Sequence, residues 1–304
     1  MRRHFMYCLK GSATRPVVVG SLLLAWLAAS AAAAGTGRPA IAVSPLWDDG
    51  KSEFSQYEGT TRRYGEPRPT RARIVIVKED MLRSARVKSE RGPVPGKTVE
   101  VLKVVFVAEF PTGSYFYRQA ATTFLERKSL ELLKESMSNF DGCGITYVRV
   151  GPKQGRMVHE AHSYWEGEAD REVPLVWPWG GSAHVFWDAL PLWLRGQIEG
   201  GGASNVFLLP SQIAGRSPIE ATKPVPATIR WSDAGTITVP AGRFAAKLAQ
   251  VVTPGGTDGF WFDAAFPHVL LKMETAAGRS LALRKTQRLD YWNHHAVGDE
   301  KLIE

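Results

Sequence analysis

From Arg73 to Trp292 the chain is a succession of runs in which apolar and polar positions alternate, most of them closed by glycine or proline. Such period-2 patterning between turn residues predicts half-buried antiparallel strands. Arg73 to Lys78 (RIVIVK), Thr98 to Phe110 and Ser114 to Leu125 read as the first three. Ser84 to Lys97, charged and broken by two glycines and two prolines, reads as a long hairpin tip. Ser129 to Asn139 carries helix formers but lies between strands, and the sheet context predicts a strand there. Ile145 to Val150, Met157 to Trp165 and Arg171 to Val176 continue the pattern.

Residues 231–292 hold the densest alternation. In Ser280 to Tyr291, Leu281, Leu283, Lys285, Gln287 and Leu289 fall on one face. Asp188 to Arg195 predicts a short helix limited by Pro191. Two stretches before Arg73 predict no strand: an extended arm over Gly35 to Gly50, and the polar segment Glu53 to Pro69. The expected fold is mainly β, with antiparallel curved, half-barrel-like sheets and one or two short helices. Gly200-Gly201-Gly202 reads as a linker between an N-terminal β-rich subdomain (35–199) and a C-terminal antiparallel subdomain (203–304).

The leader changes the charge and the compartment. Arg2, Arg3, Lys10 and Arg15 precede or flank an apolar run, Val17 to Ala29, and Ala32-Ala33-Ala34 supplies small residues for cleavage. Residues 1–34 are therefore expected to be a cleaved signal peptide, giving an exported, periplasmic or extracellular protein without a stable membrane span. Arg2-Arg3-His4-Phe5-Met6 also resembles a twin-arginine signal, so both export routes stay open. Losing four basic residues takes the formal charge from +8 to +4. That excess is dispersed and makes no case for nucleic acid. Cys143 is the single cysteine left, which excludes an internal disulfide.

Candidate chemistry is sparse. Gly92-Pro93-Val94-Pro95-Gly96-Lys97-Thr98 has the wrong glycine spacing for a phosphate loop, and its prolines remove amide donors. His159 and His162 are three apart, not four, and odd spacing on a strand sends them to opposite faces. No metal site or cofactor is expected. Asp141-Gly142-Cys143-Gly144 is the sharpest short motif. Cys143 as a nucleophile would need His159 or His162 to lower its pKa, with Asp141 in support. The alternative is a small buried cysteine in a glycine-bent strand. Acidic pairs such as Asp48-Asp49 and Glu168-Asp170 read as solvated. Five tryptophans lie between Trp165 and Trp193. Trp177, Trp179, Trp187 and Trp193 are the candidates to line a ligand concavity, with core packing as the competing role.

Trp47-Asp48-Asp49-Gly50-Lys51-Ser52-Glu53, Val75 to Asp80 (VIVKED), Asp141-Gly142-Cys143-Gly144 and His162-Ser163-Tyr164 together resemble an uncharacterised family of exported bacterial envelope proteins. Some members carry the label septum formation inhibitor, the Maf-type nucleotide pyrophosphatases. That pattern opens with a serine- and arginine-rich phosphate-binding segment, which nothing in the mature chain matches. Many relatives look like lipoproteins, whereas this chain lacks the lipid-bearing cysteine. The segment from Val239-Pro240-Ala241-Gly242 to Tyr291-Trp292 is similar to periplasmic domains of unknown function with half-barrel sheets, which look like lipoprotein carriers. The resemblance implies no catalytic residues. The expected function is non-enzymatic: binding a lipid or other amphipathic envelope ligand, or serving as an envelope scaffold. The rival is a Cys-dependent hydrolase or transferase.

Overall fold

The computed structural model describes residues 40–178 and 183–303, so the leader and Trp179 lie outside the described residues. Fifteen strands form one sheet. β1 (Ser52–Arg63), β2 (Glu66–Leu82), β3 (Thr98–Pro111), β4 (Phe116–Glu126), β5 (Leu132–Phe140), β6 (Ile145–Lys153), β7 (Arg156–Ser163) and β8 (Arg171–Pro174) make one antiparallel meander. β9 (Ala183–Phe186), β10 (Ser204–Leu209), β11 (Val225–Val239), β12 (Gly242–Thr253), β13 (Gly256–Asp263), β14 (Leu270–Glu274) and β15 (Arg279–Leu289) return to β1. There β15 pairs with β1 over Ser52–Leu289 to Thr61–Arg279. The sheet is curled but not closed. Its edges, β8 and β9, are consecutive in sequence and share no ladder among the described residues. Trp177 bridges toward β9, stacked on His184 at 4.3 Å and edge-on to Phe186 at 5.6 Å.

Alternation sets the two faces. On β3, Leu102, Val104, Phe106 and Ala108 are buried on the concave side, opposite Leu125, Thr123, Ala121 and Gln119 of β4. β9 and β10 pair in parallel, which demands a crossover. Residues 187–203 supply it: turns of 3₁₀ helix surround a four-residue α-helix, Leu190–Trp193, where Pro191 occupies the first turn as expected. Leu190, Leu192, Leu194 and Ile198 are buried in the same core as the concave sheet positions. Each such side chain stabilises the fold by about 1.5–3 kcal/mol. The concavity is thus filled by the protein's own chain.

Residues 40–49 are not an extended arm. Ala40–Val43 is a helical turn, Pro45–Asp48 is a 3₁₀ turn capped by Ser44, and Ile41, Ala42 and Trp47 are buried. Two arginines hold this cap. Arg127 donates to the Ala42 and Ser44 carbonyls and forks onto Asp48 at 2.7 and 2.8 Å. Arg288 donates to Asp49 and to the Leu46 and Lys51 carbonyls. Asp48 and Asp49 are therefore anchors, and the Arg127 bond holds Asp48 well below the usual carboxylate range.

The polar segment beginning at Glu53 forms β1 and the start of β2. Its buried polar groups find distant partners: Glu53 makes a two-pronged pair with Arg195 of the crossover at 2.9 Å, and the Ser52 hydroxyl donates to the Leu289 carbonyl. Ser129 to Asn139 is strand from Leu132 onward. In β15 a bulge beside Gln56 and Tyr57 shifts the pairing, so Leu281 and Leu283 face the core while Leu289 joins an outer cluster with Phe54 and Val75. The alternating face predicted for Ser280 to Tyr291 is split between the two sides. Gly200–Gly202 closes the crossover just before β10, and the described residues fall within one compact unit.

Candidate functional site

The register aligns one row of outward positions across six strands. Ala282 stands opposite Glu58, Glu58 opposite Arg71, Arg71 opposite Glu109, Glu109 opposite Arg118, and Arg118 opposite Phe140. With strands about 4.8 Å apart, the row runs roughly 24 Å. It floors a groove of about 1170 Å³ to which Pro69, Pro111 and Phe116 add an apolar margin. Phe116 is 66% exposed and Phe140 55%. The charges alternate along the floor. Glu109 meets Arg118 at 3.4 Å and Arg73 at 3.9 Å, whereas Glu58 and Arg71 make no ion pair among the described residues. The volume slightly exceeds the usual range for a small-molecule site, and the lining combines apolar surface with a few charges, as such sites require.

Three phenols gather at the rim. The Tyr64 hydroxyl lies 3.0 Å from that of Tyr115 and 2.9 Å from that of Tyr117, and Arg63 donates to the Tyr117 oxygen at 2.6 Å. The Arg63 guanidinium sits 4.7 Å from the rings of both Tyr64 and Tyr117. Tyr64, at the β1–β2 turn, has a left-handed backbone (φ 54°) and is exposed. Hydrogen bonds from Tyr115 and then Tyr117 lower its pKa, while burial raises that of Tyr117. Gly142, also on the groove wall, packs against Tyr115.

The concave side carries a second polar assembly. Cross-strand pairing sets Thr123 beside Glu135, Glu135 beside Val150, and Val150 beside His159. Asp188 of the crossover accepts from the Ser211 hydroxyl at 2.6 Å and the Gln212 amide at 2.7 Å. Apart from Asp188, neither Glu135 oxygen has a hydrogen-bonding neighbour. Burial, then the Asp188 charge, pushes Glu135 well above the usual carboxylate range. Burial raises Asp188 as well. Gln212 spends its amide hydrogens on the Pro210 and Ala221 carbonyls, so its oxygen accepts from His159 Nε2 at 2.8 Å. His159 Nδ1 is left bare, and burial lowers the imidazole pKa. Arg279, bonded to Thr61 and Gln119 and pulled down to about 10 by burial, supplies the compensating positive charge.

The sequence candidates are dispersed. Cys143 is exposed in a turn where its amide and that of Gly144 donate to Asp141 Oδ1. Gly142 takes a left-handed conformation (φ 77°), and a Cβ on Gly144 would overlap the Tyr164 ring. The two glycines thus serve the turn and its packing. His162 faces outward, bonded to Asp170 at 2.8 Å and stacked on Tyr147. His159 lies inside, opposite Val150, seven residues and roughly 23 Å of extended chain from Cys143. Neither imidazole meets the thiol. Trp177, Trp187 and Trp193 are half-buried and packed against the core, and Trp187 donates to Asp258 at 2.5 Å. Glu168 is buried, accepting from the Ser217 amide and from Arg216. Among the described residues no His, Cys, Asp or Glu group could hold a metal, and no helix is long and apolar enough to cross a membrane.

The groove escaped the sequence reading because five strand registers build it. The local signal available was the pair of phenylalanines at strand ends, Phe116 and Phe140. What these features define as a class is a mainly β protein whose single curled sheet wraps its own crossover.

No protein-family model matches the chain, and no curated protein matches it. Among solved structures, the chain is similar to the crystal structure of a β-barrel-like protein of domain of unknown function DUF1849 from Brucella abortus. The likeness has a TM-score of 0.47 at 12% identity and covers 79% of this chain and 98% of that one.

Proposed function

We propose that this is an exported, non-enzymatic binding protein that holds an amphipathic ligand in the outer groove across β15 and β1–β5. The carrying observation is the groove itself: about 1170 Å³, an apolar margin including Phe116 and Phe140, and a floor of alternating charges with Glu58 and Arg71 unpaired among the described residues. The export reading rests on the basic and apolar pattern of residues 1–34. Filling of the concavity by residues 187–198 moves the expected site from the tryptophans to the outer face. Cysteine chemistry loses its support with both imidazoles bonded elsewhere.

The test is native mass spectrometry of protein purified without detergent, together with titration by dodecyl maltoside below its micelle concentration. A retained mass or saturable uptake, lost on combining Phe116→Ser with Phe140→Ser, supports the groove. Uptake that survives this pair but fails on Trp177→Ala would return the site to the tryptophans. A bare chain with no uptake would refute ligand binding.

A further inference from the structure

Building on the groove reading above, we infer that the polar head of the ligand is an anionic hydrogen-bond acceptor, a carboxylate or phosphate, seated on the Tyr64 and Tyr115 hydroxyls, with buried Tyr117 and Arg63 behind them. The argument is a count of donors. Three phenols bring three O–H protons, yet the cluster contains two hydroxyl–hydroxyl contacts, Tyr64 with Tyr115 and Tyr64 with Tyr117. Arg63 adds a further N–H, donated to the Tyr117 oxygen. However the hydroxyls rotate, at least one phenol proton remains without an acceptor in the trio. Among the described residues no carboxylate bonds to any of the three hydroxyls, and the Arg63 guanidinium is held against two of the rings.

The cluster is thus rich in donors, with the Arg63 cation among them. A ligand head with lone pairs and negative charge completes it, whereas a quaternary ammonium or a second donor does not. Tyr64, whose acidity the other two phenols raise, is the natural donor because it already accepts from both when they point inward. Tyr115 lines the groove, while Tyr117 is buried on the side of β4 opposite Phe116 and Arg118 and holds Tyr64 from behind, so a head reaches the cluster through the Tyr64 and Tyr115 hydroxyls.

The experiment compares three probes on the full chain by isothermal titration, each below any micelle concentration: dodecyl phosphate, dodecyl maltoside and inorganic phosphate. Dodecyl phosphate is expected to bind about tenfold more tightly than dodecyl maltoside, as one charge-assisted hydrogen bond provides. Tyr64→Phe should erase most of that preference. Tyr64 is exposed at a turn, and Tyr115→Phe serves as the second variant if Tyr64→Phe unfolds. Equal affinity for both amphiphiles, unaltered in either variant, overturns the head assignment and leaves the groove standing. Inorganic phosphate binding as tightly as dodecyl phosphate overturns the amphiphile and reduces the site to a free-anion site. No binding of any probe overturns the groove and this inference with it.

Discussion

Removing the Glu53 charge isolates how the crossover is fastened to the sheet. Glu53 and Arg195 exchange two 2.9 Å hydrogen bonds, with side chains 6% and 1% exposed. Arg195 also donates to the Pro267 carbonyl and lies 5.8 Å from the Trp47 ring, so one guanidinium ties the crossover to β1, to the turn after β13 and to the N-terminal cap. Breaking one side of a buried pair leaves an uncompensated charge, which costs about 3–5 kcal/mol. Glu53→Met should cost that much, and Arg195→Met a similar amount. The double variant, with no charge left to bury, should recover more than half of the summed loss, because apolar replacement of a whole buried pair is often neutral. Urea unfolding followed by tryptophan fluorescence would show the single variants as midpoint shifts of about 1–1.5 M, for a slope near 3 kcal/mol/M. A single-variant loss below about 1 kcal/mol, or strictly additive losses in the double variant, would refute the clamp.

Two further outcomes follow from buried groups. The raised pKa of Glu135 means its contribution is fully present below the unfolded carboxyl value and is lost as pH rises through the folded value. Within that window stability should fall by up to about 1.4 kcal/mol per pH unit, and Glu135→Gln should flatten the slope measured from urea midpoints between pH 4 and 9; an unchanged slope would place the titration elsewhere. Gly144→Ala should lower stability by about 1–3 kcal/mol through overlap with Tyr164, read as a drop in Tm, whereas Gly155→Ala, with open space but φ 78°, should show backbone strain alone.

Much of the architecture was legible because period-2 alternation is a local property. β3, β4 and β12 each carry their own signal, and even the helix-prone Leu132–Phe140 yielded to its strand neighbours. What escaped depends on partners far along the chain. β1 looked polar because the groups that make Glu53, Ser52 and Ser55 tolerable inside are Arg195, Leu289 and Thr286. The N-terminal cap looked like an arm because Arg127 and Arg288, which hold it, lie just after β4 and on β15. The β15 bulge inverted a face that the sequence presents as continuous. The groove is a property of register, and register is set by all the strands at once.

The pairing of β1 with β15 also bears on how the chain reaches this state. Within β1–β8 and within β9–β15, pairing joins strands consecutive in sequence, over connections of at most 17 residues. The ladder that unites them joins residues up to 237 apart, Ser52 and Leu289. Closing a loop of that size costs roughly 3 kcal/mol more in chain entropy than closing a ten-residue hairpin. That cost precedes any reward from the contact, which makes the meeting of the two meanders the slow, rate-setting event of folding. Until it occurs, β1 and β15 both expose unpaired edges. The same ladder that completes the sheet is therefore the place where a delayed chain would pair with another copy of itself.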